Sequence, residues 1–222
     1  GSTDGSDEII RNYSAQLAHF EIERDRGQSH ALNKGFASVH AEILGWLCSD
    51  DLLLPGALEF VVNYFRCNPT VDAIYGDSVL IDSDGNIIKA KREISFYPWI
   101  VLNDHNYIPQ PSMFWRKRLL DEVGLIDEAL HYTMDEDLWL RFATKAKIVH
   151  VPRFLSCMRV HPAQKVGSSS RNVAREVERL RLKYHGTAPR SGAGNHISRL
   201  LARIARVTLK TAAGGYRSEV PE

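Results

Sequence analysis

Apolar and polar positions alternate along the chain in two periods, as they do in domains that mix helices and strands. Short apolar runs, each bounded by polar residues, predict buried strands over 43–48, 72–77, 147–152 and 154–160. Apolar residues that recur at helical spacing predict helices over 57–65, 116–123, 134–141, 173–184 and 196–212. The pattern therefore predicts an α/β fold, in which helices cover a sheet.

Weaker signals complete the outline of this fold. The first residues predict a helix over 7–17 and a short strand over 20–23, and Ser29 is a plausible N-cap of the next helix. Residues 79–88 predict a hairpin that turns at Asp84-Gly85. Residues 95–115 are rich in aromatic residues and proline, which suits either a wall over a site or a satellite core.

Two adjacent carboxylates follow the first apolar run. Asp50 and Asp51 come directly after it, and a helical pattern begins at Pro55. We therefore expect the pair at the carboxyl end of a central strand, the edge where open α/β sheets bind ligands. Two carboxylates repel each other unless a cation or hydrogen bonds compensate their charge. A bare Asp-Asp pair also serves as a turn and helix cap.

A second acidic group, Asp135-Glu136-Asp137, stands at the start of a predicted helix. The helix dipole favours acids at this position, so capping alone would explain them, and it favours the ionised form of Asp135. Asp137 is expected to pair with Arg141 four residues on. His161 follows the last predicted strand, where a lone histidine is usually structural or solvated.

Composition places the chain among soluble globular proteins. Hydrophobic residues make up 44% and charged residues 25% of the sequence. The sequence has no apolar run of about 18 residues that could span a membrane, and its first residues do not read as a signal peptide. Cys48, Cys67 and Cys157 are scattered, which predicts reduced, buried thiols in a cytosolic protein, and not a disulfide framework or a metal cluster.

Charge is distributed unevenly along the chain. Residues 171–222 hold 11 basic and 4 acidic side chains, a net charge of +7, and the remainder carries −6. The last predicted helix, 196–212, is amphipathic and basic. Such a helix can lie peripherally on an anionic membrane surface, and it can equally dock on the protein itself.

Several motifs occur together in a fixed order: residues 25–35, 45–51, 55–58, 108–112, 124–128, 135–141 and 159–161. In type, order and approximate spacing they resemble glycosyltransferase family 2, the inverting enzymes with the GT-A fold. The resemblance covers residues 1 to about 165. It implies an α/β fold with a GT-A-like (Rossmann-like) mixed sheet flanked by helices.

The resemblance also implies a domain organisation. Residues 1–165 would form the GT-A domain, and residues 166–222 a linker and a basic amphipathic helical tail. Family members begin with a strand, a helix and a second strand, on the order of 30 residues, before a loop like residues 1–6. The resemblance therefore implies that this N-terminal unit is missing from the chain, which would leave the donor site incomplete.

The acidic motifs acquire roles from the resemblance. Asp51 would bind a divalent cation, Mn²⁺ or Mg²⁺, that bridges the donor's diphosphate, and Asp50 would contact the ribose or the metal shell. A hard cation held by carboxylate oxygens stabilises the negative charge of such a leaving group. Asp135 would be the catalytic base. His161 would help to hold the metal or the diphosphate.

Three further residues are assigned by the same resemblance. Asp25 matches a donor-site aspartate, and Gln110 and Trp139 would line the acceptor side.

The function implied is metal-dependent, inverting transfer of a sugar from a nucleotide-sugar, expected to be a UDP-sugar, to a hydroxyl of a polysaccharide or glycolipid. The protein would be cytoplasmic, peripheral on the inner face of the membrane, and would bind no nucleic acid. Two alternatives remain open. One is an inactive remnant that acts as a binding or assembly module. The other is a nucleotidyltransferase, although the sequence offers no Gly- and basic-rich phosphate loop.

Overall fold

The computed structural model describes residues 1–162, 164, 170–185 and 192–216. The helices of this part are α1 (Ser6–Asn12), α2 (Gln28–Ser38), α3 (Ala57–Cys67), α4 (Pro98–Asn103), α5 (Lys117–Val123), α6 (Met134–Phe142), α7 (Ser170–His185) and α8 (Gly192–Ala212). The strands are β1 (Ile43–Leu44), β2 (Leu52–Leu53), β3 (Ala73–Ile81), β4 (Ile87–Lys91), β5 (Met113–Arg116) and β6 (Ile148–Arg159). The predicted α/β class is confirmed.

The strands form one mixed sheet in the order β1-β5-β3-β6-β2, with β4 added to β3. The pair β3–β6 is parallel and the other pairs are antiparallel. Every residue of β3 except Leu80 is buried, which agrees with its central place, because a strand that is covered on both faces is shielded from water along its length. The hairpin predicted at Asp84-Gly85 is the β3–β4 connection, and Gly85 has the positive φ of 92° that its turn requires.

Helices cover both faces of the sheet. On one face lies a cluster of aromatic rings whose centroids are 5.5–6.1 Å apart, composed of Phe36, Trp46, Trp115, Trp139 and Phe142. On the other face, α3 packs Val61 and Phe65 against Ile74 and Leu155. Residues 95–115 contribute Ile100, Tyr107 and Trp115 to the main core, so this segment is largely core and not solely a wall over a site.

The first apolar run does not form the central strand that was predicted. Only Ile43 and Leu44 pair with β5, and β1 lies at one end of the strand order. Pairing stops there because Trp46 turns into the aromatic cluster, and the side chain of Gln110 takes the Trp46 carbonyl at 2.7 Å. The acidic pair therefore does not end a central strand: it directly precedes β2, which lies at the opposite end of the strand order from β1.

Other local predictions also need correction. The two strands predicted over 147–152 and 154–160 are one strand, β6, whose register with β3 shifts close to Pro152, a residue that has no N–H for the ladder. Helix α1 ends at Asn12, and residues 20–23 form no strand. Ser29 is not the N-cap of α2, which is Gly27; Ser29 is buried inside the first turn.

The C-terminal helices pack against the rest of the molecule. Leu180 of α7 is buried in the main core. Helix α8 docks by its small and basic face: Ala202 is buried, Arg206 pairs with Asp104 at 2.5 Å and Lys210 with Glu93 at 2.9 Å. Of the two explanations left open for the tail, the structure thus shows docking on the protein.

The opposite face of α8 is apolar and points to solvent. Four of its side chains are more than half exposed: Ile197, Leu200, Leu201 and Ile204. Among the described residues, no helix combines the length and apolarity that crossing a bilayer requires. The predicted boundary between residues 165 and 166 falls outside the described part of the chain. The three cysteines are free, as predicted, but Cys67 is exposed and Cys48 is half-buried, so the expectation that all three are buried is wrong.

Candidate active site

The acidic pair lies on a turn between β1 and β2, beside the end of β6. The Asp51 N–H donates to the Cys48 carbonyl at 3.1 Å, which closes the turn. One Asp51 carboxylate oxygen accepts the Arg159 N–H at 2.9 Å, and a ring nitrogen of His161 lies 3.2 Å from the Asp50 carboxylate. The fold thus brings together Asp50, Asp51 and His161, which are distant in sequence.

Arg159 ties this turn to the neighbouring hairpin. Its guanidinium donates to the carbonyls of Asp50, Asp82 and Ser83, each at 2.9 Å. Sequence reasoning gave Arg159 no role, although the residue stands in the motif that ends at His161. Arg159 therefore holds the acidic turn against the β3–β4 hairpin through these hydrogen bonds.

The electrostatics of the turn favour a bound cation. Burial raises the pKa of Asp51, the Arg159 N–H lowers it, and the neighbouring Asp50 raises it further. One ligand atom from each of Cys48, Asp50 and Asp51 lies within 4.8 Å of the other two. Burial, together with Asp51, Asp50 and Asp135, raises the pKa of the Cys48 thiol to about 11, so the thiol stays protonated.

This donor set fits a hard divalent cation. Mg²⁺ and Mn²⁺ prefer carboxylate oxygens, and a protonated thiol is a poor ligand for either. A cation held by Asp50 and Asp51, with His161 beside them, would relieve the repulsion that helps to raise the pKa of Asp51.

Gln110 contacts the segment 46–48, which leads into the acidic turn. Its amide nitrogen donates to the Trp46 carbonyl, and its oxygen accepts from the Cys48 thiol at 3.6 Å. Gln28 of α2 approaches the same sulfur at 3.7 Å. The half-buried Gln110 side chain therefore fixes the segment that leads into the acidic turn, a role that the sequence did not reveal.

Asp135 opens α6 and is half-buried. Its carboxylate accepts a hydrogen bond from the Asn106 amide at 2.9 Å. Burial raises its pKa to about 6, against the lowering effect of the Glu136 and Asp135 N–H groups and of Asn106. The N–H groups of the helix start favour the ionised form, as expected, but burial, which the sequence did not indicate, outweighs them; most of the carboxylate is still ionised at pH 7. Helix α2 links the two acidic groups: the Ser29 hydroxyl lies 2.9 Å from the sulfur of Met134, the residue before Asp135, and the neighbouring Gln28 lies 3.7 Å from the Cys48 sulfur.

The two acids that follow Asp135 have different surroundings. Glu136 is 4% exposed, and burial, reinforced by Asp135, raises its pKa to about 8. Asp137 is fully buried and contacts Arg141 at 2.8 Å, Lys183 at 2.7 Å and the Tyr184 hydroxyl at 2.9 Å. Burial raises the pKa of Asp137, but Lys183 and Arg141 outweigh it and the net shift is downward. The predicted Asp137–Arg141 pair is present.

The remaining two predicted residues, Asp25 and Trp139, have surroundings of their own. Asp25 is exposed and accepts the Gly27 N–H at 2.8 Å, at the rim of a pocket of about 350 Å³ that residues of the first 35 positions line. Trp139 is fully buried and stacks on Trp46 with 5.7 Å between ring centroids. The prediction that Trp139 contacts an acceptor is therefore wrong, since its ring belongs to the core.

Comparison with known sequences identifies relatives of this chain. The sequence model of the family described as Glycosyl transferase family 2 matches residues 1–124. An uncharacterized glycosyltransferase of Rickettsia typhi is 30% identical over 81% of this chain and 58% of its own length. Another, of Methanocaldococcus jannaschii, is 27% identical over 70% of this chain and 56% of its own. The chain thus spans just over half the length of these relatives.

Solved structures show the same fold. S. aureus TarS 1-349 in complex with UDP-GlcNAc superposes with a TM-score of 0.66, covering 95% of this chain and 62% of TarS 1-349 at 15% identity. The mannosyltransferase PcManGT of Pyrobaculum calidifontis, in complex with GDP-Man and Mn²⁺, gives 0.51 at 18% identity, covering 99% of this chain and 65% of its own. The predicted GT-A-like fold is confirmed.

Proposed function

Because the chain belongs to glycosyl transferase family 2, we propose that its protein transfers a sugar from a nucleotide-sugar to a hydroxyl group, with inversion. The observation that carries this proposal is the juxtaposition of the acidic turn and His161 with the start of α6 at Asp135, which α2 links to Cys48 through Ser29 and Gln28. We place the catalytic domain at residues 1–165 and the tail at 166–222.

The acidic turn is proposed to bind the diphosphate end of the donor through a divalent cation. Asp50, Asp51 and His161 would hold Mn²⁺ or Mg²⁺, which supplies positive charge against the charge that the leaving diphosphate gains. Similar folds bind UDP-GlcNAc in TarS and GDP-Man with Mn²⁺ in PcManGT, and we propose a UDP-sugar for this protein. Asp25 is assigned to the donor side.

Asp135 is proposed as the general base. It takes the proton of the acceptor hydroxyl while that oxygen forms a bond to the anomeric carbon. The bond from this carbon to the diphosphate breaks with its electron pair going to the phosphate oxygen, and attack from the opposite face inverts the centre. A carboxylate with a pKa of about 6 is ionised at neutral pH, and Asn106 orients it.

The acceptor is proposed to be a polysaccharide or glycolipid, with Gln110 on the acceptor side. We also propose that the protein is cytoplasmic and lies peripherally on the inner face of the membrane, through the exposed apolar face of α8. Arg206 and Lys210 are paired within the protein, so insertion of apolar side chains supplies most of the attraction.

The membrane contact is tested by co-sedimentation with vesicles of phosphatidylglycerol and phosphatidylcholine. We expect Leu200→Asp combined with Ile204→Asp to abolish binding. Leu58→Asp, on the exposed face of α3, serves as the control and is expected to bind like the wild type. Equal binding by all three proteins would contradict this contact.

The enzymatic function is tested by measuring donor hydrolysis by the purified protein over a panel of nucleotide-sugars with Mn²⁺ or Mg²⁺. The proposal is supported if one donor is hydrolysed only in the presence of the cation and if Asp51→Asn no longer hydrolyses that donor. Asp84→Asn, an identical change at an exposed position of the β3–β4 turn, is the matched control. No hydrolysis of any donor with either cation would refute the proposed function.

A further inference from the structure

The segment before α6 depends on a carboxylate from α7. Within the described part of the chain, the N-cap residue Thr133 makes no side-chain hydrogen bond to the first turn of α6. The N–H groups of His131, Tyr132 and Thr133 lead into this turn, and that of the buried Thr133 needs an acceptor because buried amides are rarely left unpaired. Glu176 of α7, more than 40 positions further along the chain, supplies the acceptor for all three groups.

One carboxylate accepts four hydrogen bonds at this place. One oxygen accepts the His131 N–H at 2.9 Å, and the other accepts the N–H groups of Tyr132 and Thr133 at 2.8 and 3.0 Å and the Thr133 hydroxyl at 3.2 Å. The Glu176 residue is 7% exposed. Hydrogen bonds to an ionised acceptor are about twice as strong as neutral ones, so this contact strongly restricts the segment 131–133.

Glu176 is ionised in this environment. Burial raises its pKa, but the N–H groups of His131, Tyr132 and Thr133 outweigh burial, and the net shift is downward. Its negative charge also lies at the amino end of α6, where the helix dipole favours an anion. The contact therefore persists at any pH near neutrality.

The same helix contacts α6 again just beyond Asp135. Lys183 and Tyr184 bind the carboxylate of Asp137, and Leu180 is buried between the two contact regions. Positions 176, 180, 183 and 184 share one face of a helix. Helix α7 therefore holds the chain on both sides of Asp135, at 131–133 and at Asp137.

Helix α2 fixes the same loop at earlier residues. The Ser29 hydroxyl donates to the Leu130 carbonyl at 2.7 Å. The side chain of Asn33 pairs with the N–H and the carbonyl of Ile126, both at 2.9 Å. With both helices in place, the backbone that leads to Asp135 has little freedom.

We propose that Glu176 is a positioning residue for Asp135: it fixes the first turn of α6 so that the base faces the acceptor hydroxyl. This inference rests on the proposed function, in which Asp135 is the base. It also assigns a catalytic purpose to α7, which lies outside the matched residues 1–124. The chemistry requires such a device because a displacement of about 1 Å can lower a rate about a hundredfold.

The test replaces Glu176 by Gln and uses Glu178→Gln as the matched control. Glu178 lies on the same helix, is partly exposed and pairs with Arg181 at 3.6 Å. We expect Glu176→Gln to lower kcat for sugar transfer at least about tenfold, with the donor KM within about twofold of the wild type. Glu178→Gln should change neither. Glu176→Asp keeps the charge but is one methylene shorter, so it should recover part of kcat.

Amide hydrogen exchange supplies a readout that needs no substrate. We expect faster exchange at 131–133 in Glu176→Gln and wild-type exchange there in Glu178→Gln. If Glu176→Gln transfers sugar at the wild-type kcat, or if both variants lose the same activity, the inference is overturned. If the wild type turns over no donor while exchange at 131–133 still accelerates in Glu176→Gln, the proposed function fails and the structural contact stands.

Discussion

The two acidic groups of the candidate site use the same kind of side chain in opposite environments. Asp50 and Asp51 lie on an open turn whose hydrogen bonds come from the backbone of β6 and from His161. Asp135, Glu136 and Asp137 begin a helix that is packed between the core and α7. At the turn, two neighbouring carboxylates lie close enough to bind the same ion. At the helix start, each of the three carboxylates has different neighbours.

This difference divides the chemistry. Two adjacent, partly solvated carboxylates suit a cation, which compensates both charges at once. At the helix start, burial raises the pKa of Asp135 to about 6 and of Glu136 to about 8, whereas Lys183 and Arg141 keep that of Asp137 low. Environments that push pKa values apart are typical of sites where acids have separate roles. Of the three acids, Asp135 has the pKa that lies just below neutral pH, as the pKa of a general base should.

The largest expected effect comes from Asp135→Asn. Removing a general base lowers the rate about 10²–10⁴-fold, so we expect kcat for transfer to fall by about 10³. The donor dissociation constant should stay within about twofold, because the donor is assigned to the acidic turn. Transfer assays and calorimetric donor binding on the same preparation measure both quantities.

The matched controls for this change are Glu136→Gln and Asp137→Asn, which replace the two neighbouring acids by their amides. Both should retain kcat within about tenfold, since neither group is the proposed proton acceptor. Loss of turnover in either variant, together with normal turnover in Asp135→Asn, would place the base elsewhere.

The next effect concerns the other acidic group. Asp51→Asn keeps the shape of the side chain and removes the charge that a cation needs. We expect the affinity for a nucleoside diphosphate in the presence of Mn²⁺ to fall about a hundredfold, which corresponds to ~2.7 kcal/mol. Titration calorimetry with and without Mn²⁺ measures it, and Asp84→Asn is the control. If Asp51→Asn still binds the nucleoside diphosphate in a cation-dependent way, the acidic turn is not the cation site, and the two acidic groups no longer have separate roles.

Much of this comparison could be predicted from the sequence, because local patterns determine it. The start of α6, the hairpin at Asp84-Gly85 and the end of α5 at Gly124 follow from turn and capping chemistry within a few residues. The motif order also identified the acidic turn and His161 as neighbours. The family resemblance and the α/β class rest on the same residues.

Other features depend on contacts between distant segments and have no local signal. Nothing near Glu176 in the sequence indicates that it binds the amides of 131–133, and nothing near Asn106 indicates that it binds Asp135. The core position of Trp139 was missed because an aromatic residue beside a motif looks the same whether it faces a ligand or the core. The short β1 follows from the packing of Trp46, which only the folded chain reveals.

An effect of similar size is expected from Asp137→Asn, in stability and not in chemistry. The pKa of Asp137 is lowered on folding, so its ion pairs stabilise the protein above the pKa of the unfolded carboxyl, and this stabilisation is lost as pH falls through the lower, folded pKa. Removing the charge leaves Lys183 and Arg141 without their partner. At pH 7 we expect a loss of about 3 kcal/mol, the low end for a broken buried ion pair because Lys183 is partly exposed, measured by urea unfolding.

The control for Asp137→Asn is the same unfolding measurement at acid pH. As pH falls through the lowered pKa of Asp137, its carboxyl becomes protonated in the wild type, so the difference between Asp137→Asn and the wild type should shrink. A difference that stays constant from neutral pH into this acid range would mean that packing, and not charge, accounts for the loss.

The smallest effect is expected from Glu136→Gln, and its sign is opposite. Burial raises the pKa of Glu136 to about 8, and within the described residues one of its carboxylate oxygens lacks a hydrogen-bond partner. The folded state therefore keeps a proton that the unfolded chain releases near pH 4.5, and the stability that this group contributes falls as pH rises from about 4.5 to about 8.

The side chain of Glu136→Gln is neutral at every pH, so the stability of this variant does not fall with pH in this way. From pH 6.5 to pH 8 we expect Glu136→Gln to gain about 1–2 kcal/mol relative to the wild type. Urea unfolding at both pH values measures the change, and it cancels any constant difference in packing between the two side chains. Parallel stability curves would show that Glu136 is ionised in the folded protein, and the separation of the three acids at the helix start would then be lost.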